Sequence, residues 1–135
     1  MILISLFLVA ALSSLGQSGI AVIDFVKIKE GRKKEALFFY ENNWKVYRDI
    51  ALKKNYISSY RLFSAGDSAG SFDLMLITEY ADSAQLGLSE HRFNDIIKAI
   101  RPEGPKLLNR LKPNDFRQNV YSRKNDILFK GSSEP

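Results

Sequence analysis

The hydrophobic pattern of the chain changes several times between a strand-like and a helix-like spacing. Four segments are rich in β-branched and aromatic residues, as is typical of strands: residues 20–30, 56–64, 72–80 and 115–121. In residues 32–54 and 82–100, apolar positions recur at intervals of three and four, as on the buried face of a helix. The pattern therefore predicts the order strand, helix, strand, strand, helix, strand.

This order predicts an α+β domain with the ferredoxin-like βαββαβ arrangement, in which both helices pack on one face of a four-stranded antiparallel sheet. The helices can cover only one side of that sheet. Residues 20–28 and 72–80 are nevertheless apolar at both odd and even positions. Because a large apolar face rarely stays exposed, we predict a homodimer through the uncovered sheet face, with two sheets stacked about 10 Å apart.

The first residues have a different character from the rest. Residues 2–12 are an apolar run that is short for a membrane span, and Ser14 and Gly16 supply small residues at the −3 and −1 positions of a cleavage site. No Lys or Arg precedes the run, and a buried first strand or helix is the alternative. We predict a secretory signal peptide over residues 1–16, a folded domain over 17–121 and a C-terminal tail over 122–135. The mature chain would be periplasmic or secreted, without a membrane span.

Composition excludes several kinds of chemistry. The chain of 135 residues has no cysteine and one histidine, so a disulfide, a thiol nucleophile and a multi-histidine metal site within one chain are ruled out. The net charge is +5, and residues 102–135 carry seven basic and four acidic side chains, which favours a solvated basic tail. We predict no nucleic-acid partner. Phosphate-binding, dinucleotide-binding and zinc motifs are absent, and we predict no cofactor and no metal.

Three short motifs resemble a known superfamily. They are the strand-to-helix passage Val26-Lys-Ile-Lys-Glu-Gly-Arg32, the helix exit Lys53-Lys-Asn-Tyr56 and the strand-to-helix passage Glu79-Tyr-Ala-Asp82. Over about residues 20–121 the chain is similar to dimeric α+β-barrel proteins, in particular their NIPSNAP-like and antibiotic-biosynthesis-monooxygenase-like branches. The resemblance implies a dimeric barrel with a small-molecule cleft between each sheet and its helices. Some members oxidise aromatic polyketides without a cofactor, some bind or degrade haem, and many have no known activity.

Two residues are candidates for catalysis. His91 is the chain's one histidine, the residue type that exchanges protons near neutral pH. It would act as a general base or an axial haem ligand, and the alternative is a histidine at the edge of the buried surface. Asp24 interrupts an apolar strand face, where a carboxylate should be either paired or directed into a cleft.

Four further residues are candidates for ligand binding. Trp44 and Tyr60 could line a pocket for a flat aromatic compound, although Trp44 also fits a helix core position. Arg61 and Glu79 lie on neighbouring predicted strands and could form a cross-strand ion pair or a polar patch at the mouth of a cleft. The sequence thus favours an exported small-molecule-binding dimer. The alternatives are a cofactor-independent monooxygenase or similar small enzyme acting on an aromatic or apolar compound, and a purely structural dimer.

Overall fold

The computed structural model of the protein describes residues 19–66 and 70–133. The predicted signal peptide over residues 1–16 lies outside the described residues. Four strands form one antiparallel sheet in the order β2-β3-β1-β4. They are β1 (Ile20–Ile28), β2 (Ser59–Ser64), β3 (Leu74–Tyr80) and β4 (Arg117–Asp126). The predicted α+β arrangement with a four-stranded antiparallel sheet is confirmed.

The first predicted helix is one continuous helical rod with a change of pitch in its middle. It consists of α1 (Lys33–Phe39), a π-helical segment (Tyr40–Trp44) and α2 (Lys45–Lys53). The rod ends where Asn55 takes a left-handed conformation with φ of 56°, as expected of an asparagine in the position that glycine usually fills.

The second predicted helix begins as expected and is interrupted once. The backbone N–H of Gln85 donates to Asp82 Oδ1 at 2.7 Å, so Asp82 is the N-cap. The helix is divided into α3 (Ser83–Gly87) and α4 (Ser89–Ile100). A short α5 (Pro113–Phe116) then leads into β4. Pairing of β4 with β1 continues to Asp126, so the sheet extends past residue 121, where the sequence placed the end of the domain.

The strand register explains the two-sided apolar pattern. Leu74, Leu76 and Thr78 of β3 point to the helices and are buried. The alternate residues Met75 and Ile77 point to the opposite side of the sheet, which we call the open face. On the open face, Phe25 packs edge-on against Phe72, with ring centroids 4.9 Å apart, and stacks on Tyr121 at 4.5 Å. No helix among the described residues covers this face.

The helices leave part of their own side of the sheet uncovered. α4 packs against α2, whereas the residues of β4 on the helix side, such as Ser122 and Lys124, are exposed. Consequently Ile97 and Ile100 on the apolar stripe of α4 remain 36% and 38% exposed. A cleft therefore opens over β1 and β4. Within residues 19–66 and 70–133, none of the helices combines the length and the apolar character needed to cross a membrane.

Candidate functional site

The cleft has a volume of about 400 Å³ and lies between the sheet and the helices. Asp24 and Leu76 form its floor, and β4 supplies one polar edge. Aromatic side chains of the first helical rod form one wall, and Ile97 of α4 contributes an apolar surface opposite. The lining residues are Asp24, Phe39, Tyr40, Asn43, Trp44, Tyr47, Arg48, Leu76, Ile97, Pro105, Arg117 and Asn119.

Arg48 is a half-buried cation in contact with aromatic rings. Its guanidinium carbon lies 4.3 Å from the centroid of the Trp44 ring and 4.6 Å from that of Phe93. Its Nε donates to Thr78 Oγ1 at 3.1 Å. Burial lowers the pKa of Arg48 to about 10, against the raising effects of Tyr80 and Asp24. The side chain therefore stays charged at neutral pH, yet no carboxylate of the described residues lies within 4.0 Å of it.

Asp24 lies at the centre of β1, on the helix side of the sheet. It is opposite Leu76 of β3 and Ser122 of β4, and its Oδ1 accepts a hydrogen bond from the Ser122 hydroxyl. One residue further along, the pairing of β1 with β4 shifts register between Phe25 and Val26. Irregularities of this kind are common beside functional sites because they redirect neighbouring side chains.

Arg117 and Tyr40 form the second polar element of the cleft. The Arg117 guanidinium lies 5.4 Å from the centroid of the Phe39 ring. Its Nε is buried without a hydrogen-bond partner. Burial raises the pKa of Tyr40 to about 12 although the charge of Arg117 opposes the shift. Tyr40 is consequently a neutral phenol at physiological pH.

Asn43 fixes the loop at the mouth of the cleft. It is 1% exposed, and its Oδ1 accepts from the backbone N–H of Lys106 at 2.8 Å. Its Nδ2 donates to the carbonyl oxygens of Lys106 at 2.8 Å and of Phe39 at 2.9 Å. Asn43 lies in the π-helical segment, a feature that is often found at functional sites. These bonds hold Pro105 in position as part of the lining.

Tyr60 lies on the opposite side of Trp44 from the cleft. The two rings meet edge-on with centroids 5.3 Å apart. Tyr60 lines a smaller groove of about 340 Å³, to which Trp44 and Leu62 also contribute. Its hydroxyl donates to Asp49 Oδ1. Burial, together with this hydrogen bond, raises the pKa of Tyr60.

The structure does not bring the other predicted site residues to the cleft. The side chain of His91 is 80% exposed on α4, with Nε2 at 3.3 Å from Asp95 Oδ2. Because it does not border the cleft, it is not placed to exchange a proton with a ligand there, and so exposed a side chain does not fit the axial haem ligand.

Arg61 and Glu79 point to the open face of the sheet, since their partners in the register are Ile77 and Ser59. The expected pair of Arg61 with Glu79 is replaced by an ion pair of Glu79 Oε2 with Lys130 Nζ at 2.9 Å. Of the six predicted residues, Asp24 and Trp44 share the cleft, and Tyr60 adjoins it. Arg61 and Glu79 lie on the other side of the sheet because they occupy the alternate positions of their strands.

Sequence reasoning missed Arg48, Arg117 and Asn43. Arg48 follows Trp44 by four residues and therefore lies on the same face of the helix. That spacing was the available signal for Arg48. No pattern indicated Arg117 or Asn43, because their positions depend on the β4 register and on the π-helical segment.

Comparisons with known proteins identify the fold. HapK from Hahella chejuensis matches with a TM-score of 0.52 and 11% identity over 86% of this chain and 99% of that chain. A conserved protein of unknown function from Bacteroides thetaiotaomicron, described as a possible oxidoreductase, matches with a TM-score of 0.51 and 16% identity over 82% and 99%. A dimeric protein of unknown function with a ferredoxin-like fold from Bacteroides fragilis matches with a TM-score of 0.51 and 8% identity over 81% and 96%.

The chain therefore has the ferredoxin-like α+β fold, the fold that its resemblance implied. No family model and no curated protein matches the sequence. The NIPSNAP-like or monooxygenase-like branch remains a prediction.

Proposed function

We propose that the protein is an exported homodimer that binds a small apolar or aromatic compound in the cleft over β1 and β4. The observation that carries the proposal is the cleft itself. Its volume of about 400 Å³ lies in the range of small-molecule sites. Trp44 forms part of one wall without filling the space, and Ile97 offers an apolar surface that no other part of the described chain covers.

The open face supports the homodimer. Phe25, Phe72 and Tyr121 form an aromatic cluster there, and Phe63 is 44% exposed beside Met75. A contiguous apolar surface of this kind is typical of a protein–protein interface. The matching protein from Bacteroides fragilis is described as dimeric. A second copy would bury the open face and leave the cleft accessible on the opposite side of the sheet.

Export rests on the sequence alone. The apolar run over residues 2–12 and the small residues Ser14 and Gly16 support a cleaved signal peptide and a periplasmic or secreted mature chain. The intact mass of the protein recovered from its host tests this part. A chain that keeps Met1 contradicts it.

Titration with phenylnaphthylamine, a neutral aromatic probe that fluoresces in apolar sites, tests the binding function. We expect saturable binding at one probe per subunit, and we expect Ile97→Trp to abolish it by filling the cleft. Leu128→Trp is the matched control, because Leu128 is 77% exposed and lies outside the cleft. Absence of saturable binding, or binding that Ile97→Trp leaves unchanged, contradicts the proposal.

A second candidate function is cofactor-independent oxygenation of an aromatic compound. The observation in its favour is the Asp24 carboxylate, which lies on the cleft floor and could accept a proton from an acidic ring carbon. Molecular oxygen would then oxidise that methylene carbon: one oxygen atom becomes the carbonyl, and the other leaves as water with the two hydrogens. Oxygen uptake with anthrone as the substrate tests this candidate. We expect Asp24→Asn to abolish uptake, and no uptake by the unchanged protein refutes it.

A further inference from the structure

We propose that the ligand of the cleft is an aromatic compound with one anionic group, and that Arg48 and Arg117 bind this group. This inference rests on the proposed binding function and names the chemical class of the ligand. It adds a recognition element to the cleft, namely two cations on a surface that is otherwise aromatic and apolar.

The lining of the cleft carries a net positive charge. Arg48, Arg117 and Asp24 are the charged residues among the lining, so the cleft carries a net charge of +1. Within residues 19–66 and 70–133, neither arginine has a carboxylate within 4.0 Å. Both side chains are half-buried, so each has lost part of its hydration without gaining an anionic partner, which is unfavourable. An anion from outside the chain would supply the missing partner of Arg48.

Two residues of the lining carry hydrogen-bond donors that lack acceptors. Nε1 of Trp44 and Nε of Arg117 are buried without a partner in the structure. Buried donors are almost always satisfied, so two unsatisfied donors on residues that line one cleft need a physical reason. The guanidinium groups of Arg48 and Arg117 add two positive charges to the same lining. A ligand oxygen carrying negative charge is the group that such a lining binds best.

Asp24 is the one carboxylate of the lining. The Asp24 carboxylate already accepts a hydrogen bond from Ser122, and it lies beyond ion-pair distance of Arg48. Its negative charge disfavours a ligand with two anionic groups. Two arginines and one carboxylate together therefore favour a ligand with a single negative charge. The aromatic part of that ligand would pack against Trp44 and Ile97.

A pair of probes that share one aromatic skeleton tests the inference. Anilinonaphthalene sulfonate is phenylnaphthylamine with one sulfonate added. We expect the sulfonate to bind the unchanged protein on the order of tenfold more tightly than the neutral probe, as charge-assisted hydrogen bonds provide. We expect Arg48→Met to remove this difference while the neutral probe still binds. Arg117→Gln should also reduce the difference in affinity between the two probes.

Arg92→Met is the matched control. Arg92 also stacks on an aromatic ring, at 4.3 Å from the centroid of Tyr56, but it does not line the cleft. Loss of the Arg92 side chain should leave the affinities for both probes unchanged. A thermal melt of each variant identifies any variant that fails to fold.

The outcomes separate the two proposals. If the neutral probe binds in the cleft and the sulfonate gains nothing, or if its gain survives both Arg48→Met and Arg117→Gln, the anionic class is wrong and the binding function stands. If neither probe binds saturably, both proposals fail.

Discussion

The guanidinium carbon of Arg48 lies 4.3 Å from the centroid of the Trp44 ring, so this half-buried cation contacts an aromatic surface and not a carboxylate. We predict that Arg48→Met either raises the free energy of unfolding or lowers it by less than about 1 kcal/mol. The variant loses the cation–π contact and the bond to Thr78, but it also removes a partly desolvated charge that has no ion-pair partner, and the two effects offset each other. Urea denaturation measures the change. A loss of more than about 3 kcal/mol, typical of a broken buried ion pair, would show that a charged partner exists.

Met75 and Leu74 are adjacent in β3 and point to opposite faces of the sheet, which gives a matched test of the proposed dimer. Leu74 is 1% exposed in the core, whereas Met75 lies on the open face. We predict that Met75→Asp gives folded monomers, because a charge is introduced into the interface alone. Leu74→Asp should prevent folding. Light scattering and circular dichroism distinguish the results, and a Met75→Asp protein that stays dimeric excludes the open face as the interface.

Asn43 connects the π-helical segment to the loop at the mouth of the cleft. We predict that Asn43→Ala lowers the free energy of unfolding by about 1–3 kcal/mol, because the backbone groups of Lys106 lose their partners. Asn42→Ala is the control: the Asn42 side chain donates one bond to Phe38 of its own helix. Thermal or urea unfolding compares the two. Equal losses would mean that the contact with Lys106 contributes nothing of its own.

The ion pair of Glu79 with Lys130 predicts a pH dependence. Burial is the largest single effect on Glu79 and opposes its ionisation, but the hydrogen bonds and charges of its neighbours, led by Lys130, together lower its pKa below the ordinary 4.5. The stability that this pair contributes is therefore present above about pH 4.5 and lost as the pH falls through the lowered pKa. The Lys130 side chain is 56% exposed, so we expect at most about 1 kcal/mol.

The melting temperature tests this prediction against Glu79→Gln. The variant should be less stable than the unchanged protein at about pH 7, and the two should converge at about pH 3. A difference that does not change with pH would assign the effect to packing.

The order of strands and helices could be predicted from the sequence because spacing along the chain directly reports which residues are buried. Asn55 and Asp82 marked helix ends because the left-handed backbone of one and the capping hydrogen bond of the other depend only on residues close in sequence. The site was less accessible to such reasoning. Whether Arg61 and Glu79 reach the cleft depends on the strand register, and His91 was selected by residue type, which does not report exposure.

Arg48 is a residue whose place in the cleft its residue type does not indicate. A charged residue on an amphipathic helix is ordinarily solvated, and only the packing of α4 on α2 encloses this one between Trp44 and Phe93.

The most direct test of the account uses the fact that Trp44 is the chain's one tryptophan. Its indole N–H therefore gives a single, identifiable signal in a heteronuclear NMR spectrum, and the Trp44 side chain lines the cleft. We predict that anilinonaphthalene sulfonate shifts this signal in parallel with the saturation of probe fluorescence, and that Ile97→Trp, measured on the original indole signal, prevents the shift. An indole signal that does not move while the probe saturates would show that the ligand binds elsewhere and would contradict the account.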